Sequence, residues 1–173
     1  MLASAGDPRP AVRFIGTVRT RHRDPRHTPV QAALNTDDRG TVELDARYVA
    51  ALDGLQDFSH AWLVTWLGPL EEAAEPPPLR QVPFLLRGRP REVGILATRG
   101  PRRPSPLGLT LVRLTGVEGA TIRFAGVDMV DGTPLVDLKP YVWRFDTPTG
   151  EVRGGWFDTV AVDDDITPAR LQP

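Results

Sequence analysis

Proline and glycine punctuate this chain so often that long regular elements have little room. Its 173 residues include 16 glycines and 18 prolines. That is about a fifth of the sequence, above average yet short of low-complexity composition. Glycine opens backbone conformations that turns require, and proline fixes φ while removing a donor. Between these breaks lie short apolar runs, the pattern of many brief strands joined by turns.

Val12–Arg19 alternates Val12, Phe14, Gly16 and Val18 on one face, as a strand does. Thr41–Asp45 reads as a second short strand and Ala46–Leu55 as a short helix. Ser59–Leu67 is apolar on both faces and predicts a buried strand. Residues 68–92 form a long excursion rich in proline, arginine and glutamate. Val93–Thr98, Leu109–Thr115 and Thr121–Asp128 read as further strands, with a turn at Asp131-Gly132. The fold class expected is mainly all-β, a small closed antiparallel barrel with one short helix and the long excursion. We divide the chain into a flexible arm (1–10), a barrel domain (11–145) and an acidic tail (146–173) disordered beyond Asp163. Trp156 and Phe157 are too apolar for such a tail and must bury somewhere.

Several chemistries are excluded at once. Cysteine is absent, so disulfides, thiolate metal sites and cysteine nucleophiles cannot occur. No apolar run is long enough to span a membrane and no signal segment opens the chain, so the cytoplasm is the expected compartment. No glycine-rich turn joins a strand to a helix, and His22, His27 and His60 are too few and scattered for a metal site. Neither Ser59 nor Ser105 sits in a nucleophile elbow.

Charge is distributed unevenly. Residues 80–113 carry eight arginines against Glu92 alone, while the stretch from Asp146 onward holds six acids. Such a basic middle permits a polyanionic partner, although a solvated basic face balanced by the tail explains it equally well. Within it, Arg99–Pro106 packs three arginines among three prolines, which leaves those guanidinium groups little freedom to lose on binding an anion. Of 21 basic residues only Lys139 is a lysine. If Leu135–Lys139 is extended, Asp137 and Lys139 share a face and Tyr141 continues their row. This is either an exposed ion pair or a carboxylate–ammonium–phenol group at a strand end.

Four stretches, taken in order, resemble one family. They are Ile15-Gly16-Thr17-Val18, Phe58-Ser59-His60, "ATRGPRRPSPLGL" (97–109) and "DMVDGTPLVDLKPY" (128–141). The chain is similar over roughly residues 12–142 to the TsaA-like family, small β-barrel enzymes that use S-adenosylmethionine to N6-methylate a modified adenosine beside the anticodon of tRNA. The resemblance implies a six- or seven-stranded barrel working as a homodimer with the site near the subunit interface, and neither a metal nor a membrane partner. It places Gln31, Ala32, Ala33, Leu34, Gly68, Pro69, Arg99, Leu109 and the strand end Ala125, Gly126, Val127 and Asp128 around the cofactor. His60, Arg102 and Arg103 are expected toward the substrate. Asp131, Lys139 and Tyr141 are the candidate catalytic groups, since the acceptor nitrogen must lose a proton. The chain departs from the family pattern at Val30, Gly100 and Ser105.

The function expected is therefore N6-methylation of threonylcarbamoylated adenosine in tRNA. Two other readings stand beside it: a same-fold methyltransferase acting on a small-molecule nitrogen, and a non-catalytic RNA- or nucleotide-binding barrel.

Overall fold

Alternation between β-branched or large apolar residues and polar ones builds the sheet. In Thr121–Ala125, Ile122 and Phe124 are fully buried while Arg123 points to solvent. His60–Trp66 buries Ala61, Leu63 and Thr65 and turns His60, Trp62, Val64 and Trp66 outward. The computed structural model describes residues 12–69, 76–86 and 91–160. The expected flexible arm, parts of the excursion and the end of the tail lie outside them.

The strands are β1 (Gly16–Arg19), β2 (Arg39–Leu44), β3 (His60–Trp66), β4 (Arg80–Gln81), β5 (Val93–Gly94), β6 (Leu107–Glu118), β7 (Thr121–Ala125) and β8 (Pro134–Pro140). Six of them close an antiparallel barrel in the order β1-β2-β7-β6-β3-β8. The other two, β4 and β5, pair with each other, so the excursion folds back on the segment that follows it. Val18, Val42, Leu63, Ile122, Phe124 and Leu135 fill the barrel and are wholly excluded from solvent. One short α-helix, α1 (Trp143–Asp146), follows β8.

Closure and strand alternation agree with expectation; several boundaries do not. The first strand begins only at Gly16, because Val12 and Phe14 are exposed. β3 is buried on one face rather than two. The expected helix over Ala46–Leu55 is a 3-10 turn ending at Leu52, started by the Asp45 carboxylate on Arg47 N–H. The strand expected over Val93–Thr98 breaks after Gly94, where Thr98 Oγ1 donates to Ile95 O at 2.8 Å and stabilises a 3-10 turn. β6 is longer than read, twelve residues with a bulge at Thr115. β7 stops at Ala125 instead of Asp128, since Gly126 adopts φ 91°, a left-handed conformation that takes the chain out of the sheet.

Candidate functional site

That exit from β7 makes the site. Beyond Gly126 the chain bends so that Asp128 reaches back across the mouth of the barrel. Its Oδ1 accepts from Thr110 Oγ1 at 2.8 Å and its Oδ2 from Ala32 N–H at 3.2 Å. Burial raises the Asp128 carboxyl above the usual carboxylate range, partly opposed by these two donors and by the nearby Arg99 charge. Three segments distant in sequence thus meet at one carboxylate: the turn Ala32–Leu34, the inner face of β6 and the segment after β7.

A second polar knot fixes the same turn from behind. Asn35 Nδ2 donates to Val127 O at 2.9 Å and to Asp38 Oδ2 at 3.2 Å. Asp38 Oδ2 also meets His22 Nε2 at 2.6 Å and Arg21 Nε at 3.0 Å. Desolvation pushes the Asp38 carboxyl up, but the contacts with Asn35, His22 and Arg21 outweigh it and hold the group lower than usual.

The arginine- and proline-rich loop closes the other side. Arg99 Nη2 donates to Leu109 O at 3.0 Å, so its guanidinium lies against the first half of β6. The loop's own backbone is stitched down: Arg103 Nη1 binds Thr98 O at 2.9 Å, and Gln81 Nε2 binds Thr98 Oγ1 at 2.8 Å. Trp156 Nε1 donates to Ala97 O at 2.7 Å, but the burial expected of Trp156-Phe157 is not met: Trp156 is half-buried and Phe157 exposed, their rings packing on each other. At the loop's far end Leu67 N–H donates to Pro106 O, and Trp66 Nε1 donates to Pro69 O. A Cβ on Gly68 would stand 2.5 Å from Pro106 Cγ, so glycine is needed for that approach.

Gln31–Leu34, Arg99, Leu109 and Ala125–Asp128 are therefore drawn together, and Gly68-Pro69 is tied to the end of the same loop. Ala32 and Val127 are buried while Leu109 is half exposed. A fixed guanidinium, a buried carboxylate and an exposed leucine form a set suited to a zwitterionic amino-acid head joined to an apolar base.

The remaining candidates fall into two places. On the outer face of the barrel, Trp62 stands across from Lys139, and the Tyr141 ring lies 6.2 Å from Trp62 and 6.3 Å from His60. Lys139 Nζ is 2.8 Å from Asp137 Oδ2, which bears out the shared face, and this pairing raises the ammonium's pKa. Tyr141 OH meets Thr147 Oγ1 at 3.1 Å, and His60 Nδ1 meets Ser59 Oγ at 2.9 Å. Asp131 lies elsewhere. Its carboxylate accepts from Thr20 N–H and is paired with Arg23, beyond the end of β1. The extended run from Pro134 to Lys139 spans roughly 17 Å along β8, and Asp131 lies before its start. A single chain does not assemble Asp131 with Lys139 and Tyr141. Arg102 is exposed, and Arg103 is engaged by its own loop. Among the described residues no group of three His, Asp or Glu side chains is placed to hold a metal, and no helix is long and apolar enough to cross a membrane.

Thr110, Asn35, Asp38 and Gln81 were not singled out from sequence. No local motif marks them, because each acts through a partner from another element.

The tRNA-methyltransferase O N-terminal domain family matches residues 17–147. A probable S-adenosyl-L-methionine-binding protein of Methanothermobacter thermautotrophicus is 35% identical over 136 residues, which is 79% of this chain and 93% of that protein. The tRNA (adenine(37)-N6)-methyltransferase of Escherichia coli is 35% identical over 134 residues, 74% of this chain and 56% of the enzyme. A crystal structure of TrmO from Pseudomonas aeruginosa superposes with a TM-score of 0.66 at 32% identity, covering 84% of this chain and 62% of that one. The chain thus spans 56% of the Escherichia coli enzyme and about a quarter of the human tRNA (adenine(37)-N6)-methyltransferase, but nearly all of the archaeal protein. With the barrel, its closing loop and the Asp128 cradle all lying within the matched span, this chain belongs to the tRNA-methyltransferase O N-terminal domain family.

Proposed function

We propose that this protein methylates N6 of the adenosine next to the anticodon of tRNA, in its threonylcarbamoylated form, with S-adenosylmethionine as methyl donor. The observation that carries this reading is the convergence of Arg99, Asp128 and the Ala32–Leu34 turn on one cradle, in a chain whose relatives are named for that cofactor and that reaction.

The cofactor, when bound, supplies an electrophilic methyl carried on sulfur. Arg99 would hold its carboxylate and Asp128 its amino group, while Leu109 and the backbone of Ala125–Val127 flank the base. The acceptor nitrogen gives up its proton as its new bond to carbon forms, so a base and an anchor for the acceptor are both required. Lys139 is held protonated by Asp137 and suits the anchor, as a cation for the acceptor's carboxylate. Asp131 and Tyr141 are left as candidates to receive the proton. Positioning supplies most of the acceleration in such an in-line displacement.

The same face supports homodimer formation. Leu107, Leu109, Trp62 and Trp66 lie outward on β6 and β3, forming an apolar band next to Lys139 and the cofactor cradle. A second copy covering that band would bring another set of catalytic candidates to the cradle. The compartment proposed for this reaction is the cytoplasm. The test is incubation of the protein with labelled cofactor and bulk tRNA from cells lacking it, followed by digestion to nucleosides. Label in an N6-methylated adenosine supports the reading; label in none refutes it.

A further inference from the structure

The outer surface of β1, β2, β7 and β6 carries a concavity separate from the Arg99–Asp128 cradle, with Asp131 on its wall as the one residue it shares with the catalytic candidates. It is an open groove of ≈ 740 Å³ whose lining includes Arg19, Arg23, Arg39 and Arg123 against a single acid, Asp131. The strand register explains how arginines so far apart in sequence come together. Arg19 lies across from Thr41, and Thr41 from Arg123. The next outward row is Arg39, Ala125 and Arg113. Successive outward rows are roughly 6.6 Å apart along the strands, so the guanidinium groups form a grid on a rigid surface rather than a spray on a loop.

The pairing in this grid leaves donors available. Arg19 Nε is held by Glu43 at 2.8 Å and Arg123 Nη2 by Glu118 at 2.6 Å, both acids standing on the row below. Arg19 Nη1 also lies 4.0 Å from Asp131 Oδ2; a guanidinium has five N–H donors, so these contacts orient each fork and leave donors for a ligand. Arg39 is exposed, and among the described residues no carboxylate lies within ion-pair distance of its side chain. Strand register links the groove to the segment that leads into the cradle. Arg39 pairs in register with Ala125, the last residue before the bend that carries Asp128.

We propose that this groove binds the phosphodiester backbone of the RNA strand whose adenosine is methylated. The proposal rests on the tRNA reading above and adds the surface that holds the strand. Planar forks fixed on a sheet match phosphate oxygens bidentately, and they tolerate any base sequence because they touch only the backbone. The Thr41 and Thr115 side chains between them supply hydroxyls of the kind that also meet phosphates. An open trough walled by arginines fits a strand better than an enclosed small molecule.

The test compares the full chain with Arg39→Ala/Arg123→Ala and with Arg39→Lys/Arg123→Lys, measuring bulk tRNA binding by anisotropy across a salt series. Losing two phosphate contacts should weaken binding at least tenfold at low salt and reduce the slope of log K against log salt by about 1–2. The lysine variant should keep most of that slope and guards against a folding defect. S-adenosylmethionine affinity, read by calorimetry, should stay within twofold. Inorganic phosphate at matched ionic strength, and polyglutamate, should displace tRNA no better than chloride does. Displacement by phosphate would make this a free-anion site, and displacement by polyglutamate a protein-docking site; either overturns the proposal. If the wild type methylates tRNA while the alanine variant binds it with an unchanged slope, the groove proposal alone fails. If the wild type neither binds nor methylates tRNA, the parent reading fails and takes the groove with it.

Discussion

Thr110 and Asp128 meet at 2.8 Å, hydroxyl to carboxylate, and this contact ties the inner face of β6 to the segment that leaves β7. The carboxyl is held above its usual range chiefly by burial. The folded protein therefore retains a proton that the unfolded chain has already released. Over that window stability falls as pH rises, starting from the ordinary carboxylate pKa of about 4. Asp128→Asn can still accept from Ala32 N–H and donate to Thr110 Oγ1, so it keeps the geometry without the charge. The midpoint of thermal unfolding should decline through this pH range for the wild type and stay flat for the variant. If Asp128 holds the cofactor's amino group as proposed, cofactor affinity of the variant should drop at least tenfold, because the charge that pairs with it is gone. Equal pH slopes would refute the assignment.

Lys139 tests the outer-face cluster. Its partner Asp137 raises its pKa, so the ammonium persists at every pH below its ordinary value and is lost only as pH climbs through the raised one. A step in the rate profile near neutrality cannot then belong to Lys139. Lys139→Ala should abolish methyl transfer in single-turnover assays while leaving cofactor binding within a few-fold. A fully active variant would remove Lys139 from the reaction.

The division between what was legible in the sequence and what was not follows from range. Asp137 and Lys139 are two residues apart, and strand periodicity alone places them on one face. Closure of the barrel was legible for the same reason, since alternation in Val18, Val42, Ile122 and Phe124 marks a continuous interior. Asp131 read as a neighbour of Lys139 because it is close in sequence, yet β8 runs extended between them and carries them apart. Boundaries failed where a side chain competes with the ladder, as Thr98 does after β5. Thr110 was invisible because a threonine in a strand is ordinary; only the bend at Gly126 supplies its partner. Gly100 is a partial case. Its departure from the family pattern was evident, but its reason is Gln81, nineteen residues earlier.

That reason is testable. A Cβ at Gly100 would stand 2.9 Å from Gln81 Nε2, the atom that also donates to Thr98 Oγ1. Gly100→Ser must push the amide away and break that bond. A net cost of about 1 kcal/mol is expected. In Gln81→Ala the space is open, so the same substitution should cost nearly nothing. A double-mutant cycle by chemical denaturation should therefore show a coupling on the order of 1 kcal/mol; additivity would mean the two side chains do not compete.

Trp156 reaches the loop from the far end of the chain, through one hydrogen bond from Nε1 to Ala97 O at 2.7 Å. Trp156→Phe keeps an aromatic ring in place while deleting the donor. Ala97 precedes Arg99 by two residues, so freeing its carbonyl loosens the segment that aims the guanidinium at Leu109 O. The net value of such a bond is about 1 kcal/mol, which converts to roughly fivefold in affinity. Calorimetry should show S-adenosylmethionine binding about fivefold weaker, with Lys139-dependent turnover at saturating cofactor unchanged. Unaltered affinity would mean that the prolines alone hold the loop, and that the segment carrying Trp156 is a bystander to the site.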